Sequence, residues 1–152
     1  MGRLEARTED LFKDLCIKKG YTLENGIVVD RQTCSVASIN QRFNSASKND
    51  TGRPGYPDFI ITNKTYPGIV ILAECKADNA DHRQAVQEVA YYAQFLRGGY
   101  DVVLAAVSGT TEAELKITTA IIRRDGSTIT GNNPNYNDST LLTLSEYEKH
   151  IG

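Results

Sequence analysis

Apolar residues recur over 3–19 at steps of three and four, at Leu4, Leu11, Phe12 and Leu15, with Thr8 on the same side, and Gly20 follows. That period predicts an amphipathic helix, and a glycine just past it is a common stop. Glu5 and Glu9 stand near its start, where carboxylates suit the positive end of the helix dipole. Residues 21–33 are mixed, with Ile27-Val28-Val29 as a candidate strand. A weaker helical pattern, Val36, Ile39, Asn40 and Phe43, covers about 36–45.

A polar loop rich in glycine and proline runs over 47–57 and ends abruptly in Asp58-Phe59-Ile60-Ile61-Thr62, which reads as a strand. Pro67-Gly68 marks a turn, and Ile69 to Lys76 is a second strand, so the two predict a hairpin. A long helix follows over 79–97, with Ala85, Val86, Val89, Ala93 and Leu96 as its apolar face and Gly98-Gly99 as its end. Val102 to Val107 is almost continuously apolar, as in a strand covered on both faces. A further strand is expected at Lys116–Arg123, then the turn Asp125-Gly126, a polar loop at 131–138, and a short helix over 141–150 begun by Ser145. No internal repeat interrupts this order.

Composition adds bounds. The 152 residues and 16.8 kDa suit one domain with its own core. About 40% are hydrophobic and 24% charged, the balance of a folded chain rather than a disordered one. A net charge of −2 excludes a strongly basic nucleic-acid coat. No apolar run reaches the roughly 18 residues of a membrane helix, and the N-terminus lacks the apolar centre of a signal peptide. Cys16, Cys34 and Cys75 show no CxxC spacing and cannot all pair. The expectation is a reduced, cytoplasmic protein.

The chemistry gathers at the end of the predicted hairpin. Strand alternation sends Glu74 and Lys76 to one face and Cys75 to the other. Pairing the two strands brings Asp58 towards Glu74. Two carboxylates about 4 Å apart at an effective dielectric of about 20 repel by about 4 kcal/mol. A divalent cation held by oxygens is the usual compensation. With Lys76 positioning a water or helping to deprotonate it, the set has the parts needed to attack a phosphodiester.

Pro57-Asp58, fifteen intervening residues and then Glu74-Cys75-Lys76 resembles the PD-(D/E)XK nuclease motif. The order of predicted elements resembles that family's αβββαβ core, a mixed central α/β sheet flanked by helices. Gln87-Glu88-Val89-Ala90-Tyr91 matches the QxxxY motif of some branches. The segments Gly52 to Phe59, Glu74 to Asp78 and Ala106 to Thr110 resemble the nuclease domains of type I restriction subunits and of fused restriction–methylation proteins. The likeness spans about 5–125.

It implies a Mg²⁺-dependent endodeoxyribonuclease of a restriction system, with Mn²⁺ able to substitute, acting on double-stranded DNA. By position, Asp58 and Glu74 are implied as metal ligands together with the Cys75 backbone carbonyl, and Lys76 as the organiser of the attacking water. Gln87 and Tyr91 are implied beside the site, with Gln84 as an alternative amide. Glu9 is implied as a second carboxylate for the metal or its surroundings. Residues 31–64 carry five basic side chains against two acidic ones. Among them Lys48 and Arg53 are candidates for phosphate contact. His82 reads as a surface residue. Asn133-Pro134-Asn135-Tyr136 departs from the methyltransferase NPPY motif, and no GxxxxGK[ST] motor motif occurs.

The whole chain, 1–152, is thus expected to be one nuclease domain, the N-terminal part of a larger protein. Methyltransferase, motor or target-recognition parts would supply its specificity. Two alternatives stay open: a repair or recombination nuclease of junction-resolvase type, and a catalytically silent DNA- or partner-binding domain of the same fold.

Overall fold

Helix α1 (Gly2–Lys18) forms where the first apolar period predicts it, but turned slightly about its axis. Thr8, Phe12 and Cys16 are its buried positions, while Leu4 is 53% exposed. A computed structural model describes residues 2–46 and 55–152. Lys48 and Arg53 lie outside the described residues.

After α1 come strand β1 (Ile27–Arg31), a short helix α2 (Ala37–Arg42), and strands β2 (Phe59–Asn63) and β3 (Ile69–Lys76). Helix α3 (His82–Ala93), flanked by single 3₁₀ turns, leads to β4 (Asp101–Ser108). Then β5 (Lys116–Ile122), a two-residue β6 (Thr128–Ile129) and helix α4 (Leu144–Ile151) complete the order. Among the described residues the six strands make one mixed sheet in chain order, β1-β2-β3-β4-β5-β6. Only the β3–β4 pair is parallel. Parallel neighbours need a crossover of about a dozen residues, and α3 supplies it.

Helices cover both faces of the sheet. On one side Phe12 and Cys16 of α1 and Tyr147 of α4 pack on Phe59, Ile61, Ile71, Ala73, Cys75, Val103 and Val107. The Phe12 and Phe59 rings meet with centroids 5.1 Å apart. On the other side Ile39 and Phe43, in and just after α2, join Ala85, Val89 and Tyr92 of α3 against Ile60, Val70, Leu72, Leu104 and Ala106. Ala85 and Ala93 let α3 lie close on the sheet. Val86, expected in that stripe, is instead 37% exposed, and Tyr92 takes the buried position. Each aliphatic side chain removed from water contributes about 1.5–3 kcal/mol.

Double coverage explains the burial pattern of the strands. β3 is buried at every position before Lys76, and β4 at every position after Asp101. β5 alternates buried and less buried residues, because α3 does not extend over it. The three cysteines are free and buried. Burial pushes the Cys16 thiol up to about 12, so it stays protonated. Among the described residues no helix is long and apolar enough to cross a membrane.

Candidate active site

The β2–β3 register pairs Phe59 with Ala73 and Ile60 with Leu72, which sets Asp58 across from Glu74 where the hairpin opens. Two hydrogen bonds tie those ends together. The Asp58 backbone N–H donates to Glu74 Oε1 at 2.8 Å, and the Cys75 backbone N–H donates to Asp58 Oδ2 at 2.9 Å. Each carboxylate therefore accepts a peptide N–H from the other's strand. These bonds fix the orientation of both side chains. Glu74 is 2% exposed, so its carboxyl group sits inside the protein, with the apolar run of β3 behind it.

Alternation along β3 does the sorting that the strand period requires. Cys75 packs in the α1-side core, while Lys76 reaches the α3 side and meets Glu88 there, Nζ to Oε2 at 2.8 Å. The two side chains are 17% and 30% exposed, so the pair is largely screened from water. Burial lowers the Lys76 pKa. The close approach and charge of Glu88, with the charges of Glu5 and Glu74, outweigh this and leave it above the ordinary lysine value. Lys76 is thus an ammonium at neutral pH, a hydrogen-bond donor rather than a base. Burial, then the charges of Asp58 and Glu74, raises the Cys75 thiol well above its usual value, so the sulfur is inert.

Tyr92 sits among these groups. Burial and the charges of Glu74, Glu88 and Asp58, in that order, raise its hydroxyl pKa. Helix α1 is pinned over the same end of the sheet by Thr8, whose hydroxyl donates to the Gly109 carbonyl at 2.6 Å. Gly109 has φ +105°, and a Cβ there would lie 2.5 Å from the Glu114 carbonyl oxygen, so only glycine fits. With α1 so placed, Glu5 is the acid whose charge acts on both Cys75 and Lys76. Glu9, one turn further on, is bonded to Arg31 at the end of β1. The Arg31 guanidinium also lies over the Phe59 ring, 5.5 Å from its centroid.

The expected helix residues are distributed unevenly. Gln84 and Gln87 are exposed on α3. Tyr91 is 37% exposed, with its ring against Tyr92 at 5.3 Å and Phe95 at 5.4 Å. Glu88, between the two motif positions, is the α3 acid paired with Lys76. It lies three residues after Ala85 and four before Tyr92, beside the buried stripe, as many helix-face acids do, and no local pattern marks it as the partner of Lys76.

His82 corrects the surface reading. It is 6% exposed, with Nδ1 2.7 Å from Ser108 Oγ and Nε2 2.8 Å from Thr118 Oγ1. Ser108 in turn donates to Asn79 Oδ1 at 2.6 Å. Burial, then the charge of Lys116, lowers the His82 pKa. These hydrogen bonds join the start of α3 to β4 and β5.

Among the described residues no group of three or more His, Cys, Asp and Glu side chains converges as a metal cage. Mg²⁺ does not ask for one, since it keeps several waters and is held by one or two carboxylates. Asp58 and Glu74 fit that donor set in number and in hardness. No protein-family model matches the chain, and no curated protein or solved structure matches it.

Proposed function

We propose that this chain is a divalent-metal-dependent DNA endonuclease domain built on a PD-(D/E)XK core, acting within a restriction system on double-stranded DNA. The observation that carries the reading is the reciprocal bonding of Asp58 and Glu74 at the hairpin mouth, with Lys76 on the same face of the strand. With the short α2 set between β1 and β2, the chain order α1, three antiparallel strands, α3 and a strand parallel to β3 supports that reading.

In this reading Asp58 and Glu74, with the Cys75 carbonyl, hold Mg²⁺. A cation there supplies Lewis acidity to water and to the scissile phosphate. The carboxylates' own task is to keep a fixed orientation, which their bonds to peptide N–H groups provide. Lys76, as an ammonium, donates hydrogen bonds that orient the water nucleophile and offset the negative charge that grows on the phosphate. Strands cut in this way end in a 5′-phosphate. Mn²⁺ serves in place of Mg²⁺, and further domains supply sequence specificity.

The test is cleavage of supercoiled plasmid by the purified chain with Mg²⁺ or Mn²⁺. Asp58→Ala and Lys76→Ala should each abolish nicking while leaving DNA binding in place. Full cleavage by Lys76→Ala would defeat the assignment. A wild-type chain that binds no Mn²⁺ in calorimetry, with or without DNA, would favour the silent-domain alternative.

A further inference from the structure

We infer that Glu88 is the positioning residue of Lys76, and that the nuclease site is therefore completed from helix α3 rather than from the hairpin alone. The inference rests on the nuclease reading above. Lysine ends a flexible four-carbon stem, and an unheld ammonium samples many rotamers. Here its Nζ lies 2.8 Å from Glu88 Oε2, in a pair with only 17% and 30% of the side chains exposed. Glu88 can hold it because α3 is itself fixed. The helix packs Ala85 and Val89 on the sheet, and His82 bonds to Ser108 and Thr118 at its first turn. Glu88 belongs to the crossover between the two parallel strands, so the β3–α3–β4 unit aligns the ammonium with the strand that bears Glu74. Glu88 itself needs no contact with DNA.

Kinetics of plasmid nicking and the Lys76 ammonium signal in ¹⁵N-lysine NMR, assigned with Lys76→Arg, test this together. Glu88→Gln keeps an acceptor oxygen and should lower kcat roughly 10-fold, and Glu88→Ala roughly 100-fold, the scale of a catalytic group misplaced by about an ångström. KM should stay within about twofold. The slowly exchanging ammonium signal should vanish in both variants. An unchanged signal, a loss confined to KM, or a rise in kcat that shows restraint instead of presentation would overturn the positioning role while the nuclease reading stands. A wild-type chain that fails to nick DNA with either cation would remove the nuclease reading and its catalytic consequence. The ammonium signal would then still report whether Glu88 holds Lys76.

Discussion

Two polar clusters, each centred on a buried side chain (Glu74 in one, His82 in the other), flank helix α3, and they are built on opposite terms. One gathers acidic and basic side chains: Asp58 and Glu74 at the hairpin mouth, and Lys76 paired with Glu88. The other gathers neutral ones: His82 between Ser108 and Thr118, with Asn79 accepting from Ser108. In the second cluster both imidazole nitrogens are used, and the lowered pKa keeps the ring neutral. A neutral cluster with its hydrogen bonds made is a strut, because its groups have nothing further to bind. Carboxylates buried beside an ammonium cost desolvation that well-packed apolar residues would not. Under the proposed nuclease reading, that expense is kept for chemistry.

The largest expected effect separates the two by activity. Glu74→Gln preserves volume and an acceptor for the Asp58 N–H but removes a charge. Nicking should fall on the order of 10³-fold. Without metal, the melting temperature should move by no more than about 3 °C, since neutralising one of two adjacent carboxyl groups relieves their mutual repulsion. A large loss of stability with activity per folded molecule intact would reverse the roles assigned to the clusters.

His82→Ala should do the opposite. It strands the Ser108 and Thr118 hydroxyls and opens a cavity, costing about 2–4 kcal/mol. Thermal melts should show a drop of roughly 5–15 °C for a chain of this size. Activity per folded molecule at low temperature should change by less than about threefold. A stable His82→Ala that no longer cuts would show that Ala85 and Val89 alone do not seat α3 well enough for the site, so that His82 is more than a strut.

The two clusters also differ in how much of each can be read from the chain. The first announces itself because its members sit at the ends of strongly patterned strands. The run Ile69 to Ala73 makes the strand unmistakable, so Glu74 and Lys76 stand out as charges at its mouth. Glu88 is hidden in the same way that most helix-face acids are, since only the fold sets it against Lys76. His82 is harder still. Its partners lie 26 and 36 residues away, and nothing local distinguishes it from a polar residue at a helix start.

Other differences have local causes. Helix α4 starts at Leu144 because Thr143 caps it and pairs with Glu146 in a capping box, whereas Ser145 lies already inside. The two-residue β6 is too short to carry an alternating pattern. The mixed sheet flanked by helices follows directly from the run of hairpin, helix and apolar strand.

Acid should distinguish the clusters more gently. Histidine ordinarily titrates near 6.5, as His82 does in the unfolded chain, and burial lowers that value in the fold. As pH falls below 6.5, the unfolded chain takes up a proton that the folded one refuses. The stability that His82 contributes is complete above 6.5 and is lost as pH falls through the folded value. Denaturant midpoints measured from pH 7.5 to 5 should decline, and His82→Asn should flatten that decline. An identical slope in His82→Asn would show that other groups carry the pH dependence.

The smallest effect concerns the boundary of the first cluster. Glu9 is implied by family resemblance as a carboxylate of the site, yet its side chain is bonded to Arg31, which is 45% exposed. Glu5, one turn earlier, is the α1 acid whose charge reaches Lys76. If the Glu9–Arg31 pair only clips α1 to β1, Glu9→Gln should cost less than about 1 kcal/mol, as partly exposed ion pairs do. Nicking should then fall less than about threefold, and Glu5→Gln should lower it more, because it removes charge nearer the lysine. A loss of 100-fold or more in Glu9→Gln, unmatched in Glu5→Gln, would instead extend the cluster across Arg31 and make Glu9 a member of the reacting set.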